Sequence, residues 1–295
     1  MKTYKGFSKD MTCRGFQYKE SEEYEQGGEV VACSKGFHAC EYPLDCFRYY
    51  SPENSVYHEV EQSGKIAKDN NDTKIASSKI KIGARLDIAG LVNASIEWVR
   101  EKIEENNNRG LSNEANSATG DYSANSATGD YSANSATGDY SANSATGYAS
   151  ANSATGNRSA NSATGNRSAN SATGDYSANS ATGDYSANSA TGNRSANSAT
   201  GNRSANSATG YASANVTTGF NSENAGMGEA NISVGWGKDN KCKGKIGSYL
   251  VVSEWGDWDG TKYPLVNAKM VKIDGEIIKE DTFYTLINGE LVEVD

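Results

Sequence analysis

At 295 residues and a formal net charge of −9, the chain has room for one large domain or two to three small ones, and it lacks the basic stripe of a nucleic-acid binder. Hydrophobic residues make up only 36%, with 31 glycines but 3 prolines; the deficit is confined to one periodic segment, which points to a repeat fold rather than disorder. No stretch nears the roughly 18 apolar residues that span a bilayer, and Met1-Lys2-Thr3-Tyr4-Lys5 opens without an apolar leader, so the expectation is a soluble cytoplasmic protein with no membrane partner.

Residues 1–86 read as an α+β domain. Cys13, Cys33, Cys40 and Cys46 lie with His38 and His58, the two histidines of the chain, inside 46 residues. Thiolates and imidazoles are the ligands of structural zinc, which makes Cys13, Cys33, Cys40, Cys46 and His38 the candidate metal set. There is no Cys-x-x-Cys pair, however, and free cysteine is among the most buried residue types, so packed reduced thiols without a cofactor are the plainer expectation. Residues 87–110 read as a capping helix and linker: Leu86 just before them, then Ile88, Leu91, Val92, Ile96, Val99 and Ile103, recur at helical spacing, which stops at Asn106-Asn107-Asn108-Arg109-Gly110. The spacing predicts an amphipathic helix over 87–106 that caps the first coil of a repeat region beginning at Ala115.

From Ala115 the hexamer Ala-Asn-Ser-Ala-Thr-Gly recurs at every ninth residue through Ala205, eleven copies, with a degenerate twelfth at Ala214–Gly219. So short a unit holds one strand and one corner, and such units bury nothing unless they stack. Residues 111–229 therefore read as a β-solenoid. The variable pairs after each glycine fall mostly in matched twos: Asp-Tyr, Asn-Arg or Tyr-Ala. That pattern predicts 18 residues per turn and six or seven turns, with residues 18 apart stacked roughly 4.8 Å from each other. One corner column is then Tyr122, Tyr140, Arg158, Tyr176 and Arg194; the other is Tyr131, Ala149, Arg167, Tyr185 and Arg203. Arg over Tyr allows cation–π stacking worth about 0.5–1 kcal/mol at an exposed site, and both columns are candidate interaction surfaces, including for side-by-side dimers or trimers. Strand alternation puts Ser123, Asn125, Ala127 and Gly129 on one face and Ala124, Ser126 and Thr128 on the other. The first set is expected inside, because stacked Asn amides satisfy one another.

Residues 230–295 read as a β-rich cap, with hairpins at Asp274-Gly275 and Asn288-Gly289. Trp236, Trp255, Trp258 and Tyr263 gather there, either as the aromatic core of the cap or as a patch for a partner, in which case Trp255 and Trp258 are the contact candidates.

Three resemblances rest on particular residues. Thr12-Cys13-Arg14-Gly15-Phe16-Gln17-Tyr18, Gly36-Phe37-His38-Ala39-Cys40 and Asp45-Cys46-Phe47-Arg48-Tyr49-Tyr50 resemble an uncharacterised domain of phage and prophage proteins, where short repeats come after it; the closing segment Ile278–Val294 resembles the tail of the same proteins. The resemblance covers roughly residues 1–100 and implies a viral or prophage origin, a host or phage protein as partner, and a place in the bacterial cytoplasm or on a virion. Ile232–Gly244 resembles the β-roll head repeat of trimeric autotransporter adhesins over about a dozen residues, although the nine-residue unit departs from that family's shorter one. The order of elements around Cys13-Arg14-Gly15, Gly36-Phe37-His38 and Val56–Glu61 is similar to that of ADP-ribosyltransferases. That likeness implies Arg14 on the phosphates of a nicotinamide dinucleotide and Glu59 or Glu61 on its ribose.

Calcium-binding nonapeptides need Gly-Gly-x-Gly-x-Asp turns, which the repeat lacks. The column Thr119, Thr137, Thr155 raises ice binding through an evenly spaced hydroxyl array. Small side chains on a regular coil make no catalytic cleft. The sequence thus favours a mainly β, non-enzymatic scaffold or binding protein, with an N-terminal enzyme carried on a solenoid, or an ice-binding or adhesin-like solenoid, as the alternatives.

Overall fold

The computed structural model describes residues 1–68, 73–108 and 115–294. Its N-terminal domain contains β1 (Lys2–Ser8), the short hairpin β2 (Thr12–Cys13) and β3 (Phe16–Gln17), β4 (Glu23–Glu25), β5 (Phe37–Cys40), α1 (Cys46–Tyr49), β6 (Ser55–Lys68) and β7 (Lys74–Leu86). The sheet order is β4-β7-β5-β1-β6, and β7 returns to pair with β6, so the strands close into a ring. Alternation decides which side chains fill it: in Lys79-Ile80-Lys81-Ile82 both isoleucines are fully buried. Phe7, Tyr18, Phe37, Val56 and Val60 complete that core.

The next helix, α2 (Ile88–Asn108), begins at Asp87, whose carboxylate accepts the Gly90 N–H at 2.8 Å as an N-cap. Ile88, Leu91, Val92, Ile96 and Val99 are buried, as the helical spacing requires. The helix runs to Asn108, two residues past the expected end at 106; the rest of the expected linker, residues 109–110, and the first residues expected of the solenoid, 111–114, lie outside the described residues.

The solenoid runs from β8 (Ala115–Ala118) to β23 (Tyr249–Trp255) and makes about eight turns, more than the six or seven that the exact hexamers suggest. Even-numbered strands stack in parallel as one sheet and odd-numbered strands as the other; Ala142 pairs with Ala160 and Ala124, confirming the 18-residue turn. The coil outlasts the recognisable repeat. Ile232 stays in register with Ala214 and then with Tyr249, so residues 230–255 form solenoid rungs rather than the start of the cap. The cap itself is smaller: β24 (Leu265–Lys272) pairs antiparallel with β23, β25 (Phe283–Ile287) with β22 (Lys241–Lys243), and β26 (Glu290–Val294) with β25. The β25–β26 hairpin turns at Asn288-Gly289, both at positive φ. Asp274-Gly275 makes no hairpin; there the Asp274 carboxylate collects the N–H groups of Glu276, Ile277 and Ile278, each at 2.9 Å, and holds an open loop.

Asn and the second Ala of each unit point inward, as the sequence suggested: Asn161 and Ala163 are buried while Ala160, Ser162 and Thr164 are exposed. Each inward amide spends its two hydrogens differently. Asn143 Nδ2 donates to Asn161 Oδ1 one turn on at 3.0 Å and to the Ser153 carbonyl of the opposite sheet at 2.8 Å, so one side chain ties both the stack and the two sheets. At the corner, a Cβ on Gly156 would lie 2.0 Å from the Gly138 carbonyl oxygen, which is why no side chain is tolerated there. Where the first variable residue is Asp or Asn, its side chain accepts the backbone N–H one turn later, as Asp139 does from Asn157 at 2.8 Å.

Helix α2 does not close the first coil. It lies along the outer face of the even-numbered sheet, over Ala133, Ala151, Ala169, Ala187 and Ala205 of five successive turns, and one apolar cluster continues from these alanines through α2 to Tyr42, Leu44 and Phe47. A helix of this length spans about 30 Å, which suits a run of rungs at roughly 4.8 Å better than the narrow end of one coil.

Candidate functional site

Two regions have the geometry of a site. The first is a cleft of about 600 Å³ in the N-terminal domain, lined wholly by residues between Tyr4 and Lys74. Its rim is the β2–β3 hairpin. Cys13 pairs with Phe16, leaving the two-residue turn Arg14-Gly15 with φ of 51° and 78°, the mirror-image turn that suits a tight hairpin. Arg14 holds this left-handed conformation without being glycine, a strain that sites commonly carry. On the other side Gly36, at φ 123°, holds a backbone conformation that side chains rarely adopt, and a Cβ there would come a tight 3.0 Å from the Ser77 carbonyl oxygen.

Lys5 rises from β1 into the cleft and is almost entirely buried. Its ammonium donates to the His38 carbonyl at 2.8 Å, lies 3.4 Å from the Cys13 thiol, and sits 5.2 Å and 5.6 Å from the ring centres of Phe7 and Tyr18. Lys74 Nζ lies 4.3 Å from the Tyr49 ring centre. Burial holds the His38 imidazole below its ordinary pKa, and the charges of Lys5, Lys74 and Arg14 push it the same way; three cations therefore converge on this ring. Its Nε2 is buried and has no hydrogen-bond partner among the described residues. The Tyr50 hydroxyl is raised, first by burial and then by the Cys13 thiol beside it.

Of the zinc candidates, Cys13, His38, Cys40 and Cys46 reach this cleft, while Cys33 is exposed and does not line it. All five cysteines are free thiols. Among the described residues no three His, Cys, Asp or Glu side chains come together to hold a metal ion, because Cys40 and Cys46 are packed in the core and the Lys5 ammonium stands at Cys13. Glu59 and Glu61, the carboxylates implied by the transferase likeness, do not line the cleft; Glu59 pairs with Lys2 at 2.9 Å on another side of the domain. Lys5 and Lys74 were not singled out from sequence, since neither sits in a motif.

The second region is the solenoid surface. Tyr122, Tyr140, Arg158, Tyr176 and Arg194 do stack in one exposed corner column: Tyr122 and Tyr140 are parallel at 4.9 Å, and Arg158 lies 5.2 Å and 5.6 Å from the rings of Tyr140 and Tyr176. Tyr131, Arg167, Tyr185 and Arg203 occupy the opposite corner, where they pack against the N-terminal domain. Tyr131 meets Trp98 of α2 at 5.9 Å, Arg167 pairs with Asp45, and Arg203 donates to the Arg48 carbonyl at 3.1 Å. That column is internal glue rather than open surface. Trp255 packs edge-on against Trp236, and its indole donates to Ser253 at 2.8 Å; Trp258 is more than half exposed and leans on Tyr263.

The two sheets carry the same repeat on their outer faces yet differ in what lies over them. The even-numbered sheet is under α2, whereas the odd-numbered sheet is open, with a shallow groove of about 570 Å³ along Ala124, Ala142, Ala160, Ala178 and Ala196.

No curated protein and no solved structure matches the chain. Residues 1–94 match the model of a family described as a domain of unknown function (DUF7666). The chain is thus a DUF7666 domain, holding the whole cleft, followed by a β-solenoid.

Proposed function

We propose that the protein is a non-enzymatic binding scaffold of phage or prophage origin, and that the open face of its solenoid receives an amphipathic helix of a host protein. One observation carries this reading. The nine-residue unit makes the two outer faces chemically alike, and on one of them the chain's own helix α2 is seated across five rungs of Ala and Ser. The other face repeats the same small-residue template and is covered by none of the described residues. Small residues let a helix approach closely, and eight stacked turns hold the rungs at fixed spacing, which is what a rigid scaffold supplies.

A synthetic peptide of residues 87–108 is the direct probe. It should bind the full-length protein, and Ala160→Lys, an exposed substitution on the open face, should abolish that binding without changing the fold. The same variant should lose a partner captured from host bacterial lysate by the unmodified protein. Absence of peptide binding, or partner capture unchanged by Ala160→Lys, would overturn the reading. The exposed column Thr128, Thr146, Thr164, Thr182 and Thr200 supports ice binding as a second reading; a lack of thermal hysteresis would remove it.

A further inference from the structure

The N-terminal cleft plays no part in helix capture, and its chemistry is unlike the rest of the molecule. The chain carries a net charge of −9, yet Lys5, Arg14, Lys35 and Lys74 line this cleft against one carboxylate, Glu29, which is itself 3.8 Å from Lys35. Low-dielectric walls around one sign of charge focus the field and favour an anion. The Arg14 guanidinium has no ion pair or hydrogen bond among the described residues, and its fork geometry matches a phosphate or carboxylate.

Beside these cations stand aromatic rings that folding leaves uncovered. Phe16 is 46% exposed and Tyr49 42% exposed, and Phe16 leads inward through ring contacts with Tyr18 and Phe37 at 4.8 Å and 6.3 Å. Phe16, held out at the cleft mouth by the β2–β3 hairpin, offers an aromatic face on which a ligand ring can stack. His38 Nε2 adds a buried polar atom awaiting a hydrogen-bond partner. The volume, about 600 Å³, falls in the range of small-molecule sites.

We infer that this cleft binds a small organic anion carrying an aromatic ring, with the ring on the Phe16 side and the phosphate or carboxylate held by Arg14 and its neighbouring lysines. A purely inorganic anion would leave the aromatic wall unused, and a neutral ring would leave the Arg14 guanidinium without an anion. No covalent step is involved; the site is one of recognition.

The test is calorimetric titration of the full-length protein with AMP, phenyl phosphate and 4-hydroxybenzoate, with adenosine and inorganic phosphate as the two half-ligands. At least one aromatic anion should bind one-to-one and at least tenfold more tightly than either half-ligand. Arg14→Ala, at an exposed turn, should weaken that binding at least tenfold with the melting temperature of the free protein unchanged. The bound ligand should also slow alkylation of Cys13 by iodoacetamide and leave the exposed Cys33 unaffected. Failure of all three anions to bind would overturn the proposal, as would phosphate binding equally well or affinity unchanged in Arg14→Ala.

Discussion

The Arg167 guanidinium and the Asp45 carboxylate meet at 2.7 Å, Nε to Oδ1, with the carboxylate fully buried and the arginine side chain one-tenth exposed. The pair joins a solenoid corner to the turn Pro43–Asp45 of the N-terminal domain. Tyr42 donates to the Arg167 carbonyl at 2.5 Å, Thr73 donates to the other Asp45 oxygen, and the guanidinium lies 4.6 Å from the Tyr148 ring centre. Removing one partner strands the other charge in the interior, which costs about 3–5 kcal/mol. Asp45→Asn and Arg167→Met should each lower stability by that order in urea unfolding. The double variant Asp45→Leu with Arg167→Met should recover most of the loss, because two apolar side chains leave no orphaned charge.

Glycine at the solenoid corners is required by space, which gives a prediction with an internal control. A Cβ on Gly174 would lie 2.1 Å from the Gly156 carbonyl oxygen, whereas on Gly120, in the first turn, it would meet only Ser123 Oγ at 3.5 Å. Gly174→Ala should therefore destabilise by about 1–3 kcal/mol through overpacking against backbone. Gly120→Ala should leave the thermal transition, followed by circular dichroism, close to that of the unmodified chain.

The parts of this fold that were legible in sequence are those in which each repeat answers to its copy. Paired Asp-Tyr and Asn-Arg units disclosed the 18-residue turn because stacked side chains meet their counterparts, and the inward Asn could be read because an amide can satisfy its own repeat. What escaped is tertiary. Arg158 and Arg167 sit in identical local sequence, yet one is exposed and the other is buried against Asp45, a choice made by where α2 and the N-terminal domain dock. Helical spacing gave the apolar face of α2 but not the surface beneath it. The cleft was hidden for the same reason: Lys5 and Lys74 stand 69 positions apart, and only the pairing of β1 and β7 with β5 brings them to one wall.

The asparagine ladder should be the most sensitive part of the solenoid. Asn161 Nδ2 donates to Asn179 Oδ1 at 2.9 Å and to the Ser171 carbonyl at 2.7 Å, and its own Oδ1 accepts from Asn143 at 3.0 Å. Asn161→Ala removes all three and leaves buried groups of Asn143, Asn179 and Ser171 unpaired, each costing about 1–3 kcal/mol before relaxation. Chemical denaturation should register a loss of at least about 2 kcal/mol, with hydrogen exchange accelerated on both sheets, since the amide bridges them. Ser162→Ala, one residue away on the exposed face, should shift stability by less than about 0.5 kcal/mol.

Acidification should weaken the N-terminal domain through its two histidines. His58 is fully buried, with Nδ1 3.0 Å from the Gly83 carbonyl, and burial holds its pKa below the ordinary value; His38 is lowered by burial and by the cations of the cleft. Because both folded-state values lie below the unfolded value near 6.5, the unfolded chain takes up protons first as pH falls. The stability they contribute is complete above about pH 6.5 and is lost on going down through the folded values. The melting temperature should be level between about pH 7 and 8 and lower at about pH 5.5, a window in which ordinary carboxylates, titrating near 4, remain ionised. His58→Asn keeps a donor for Gly83 but cannot be protonated, so its melting temperature should fall less over the same interval. An equal fall in the variant would mean that His58 is not the group that titrates, and a rise on acidification would reverse the sign derived from its burial.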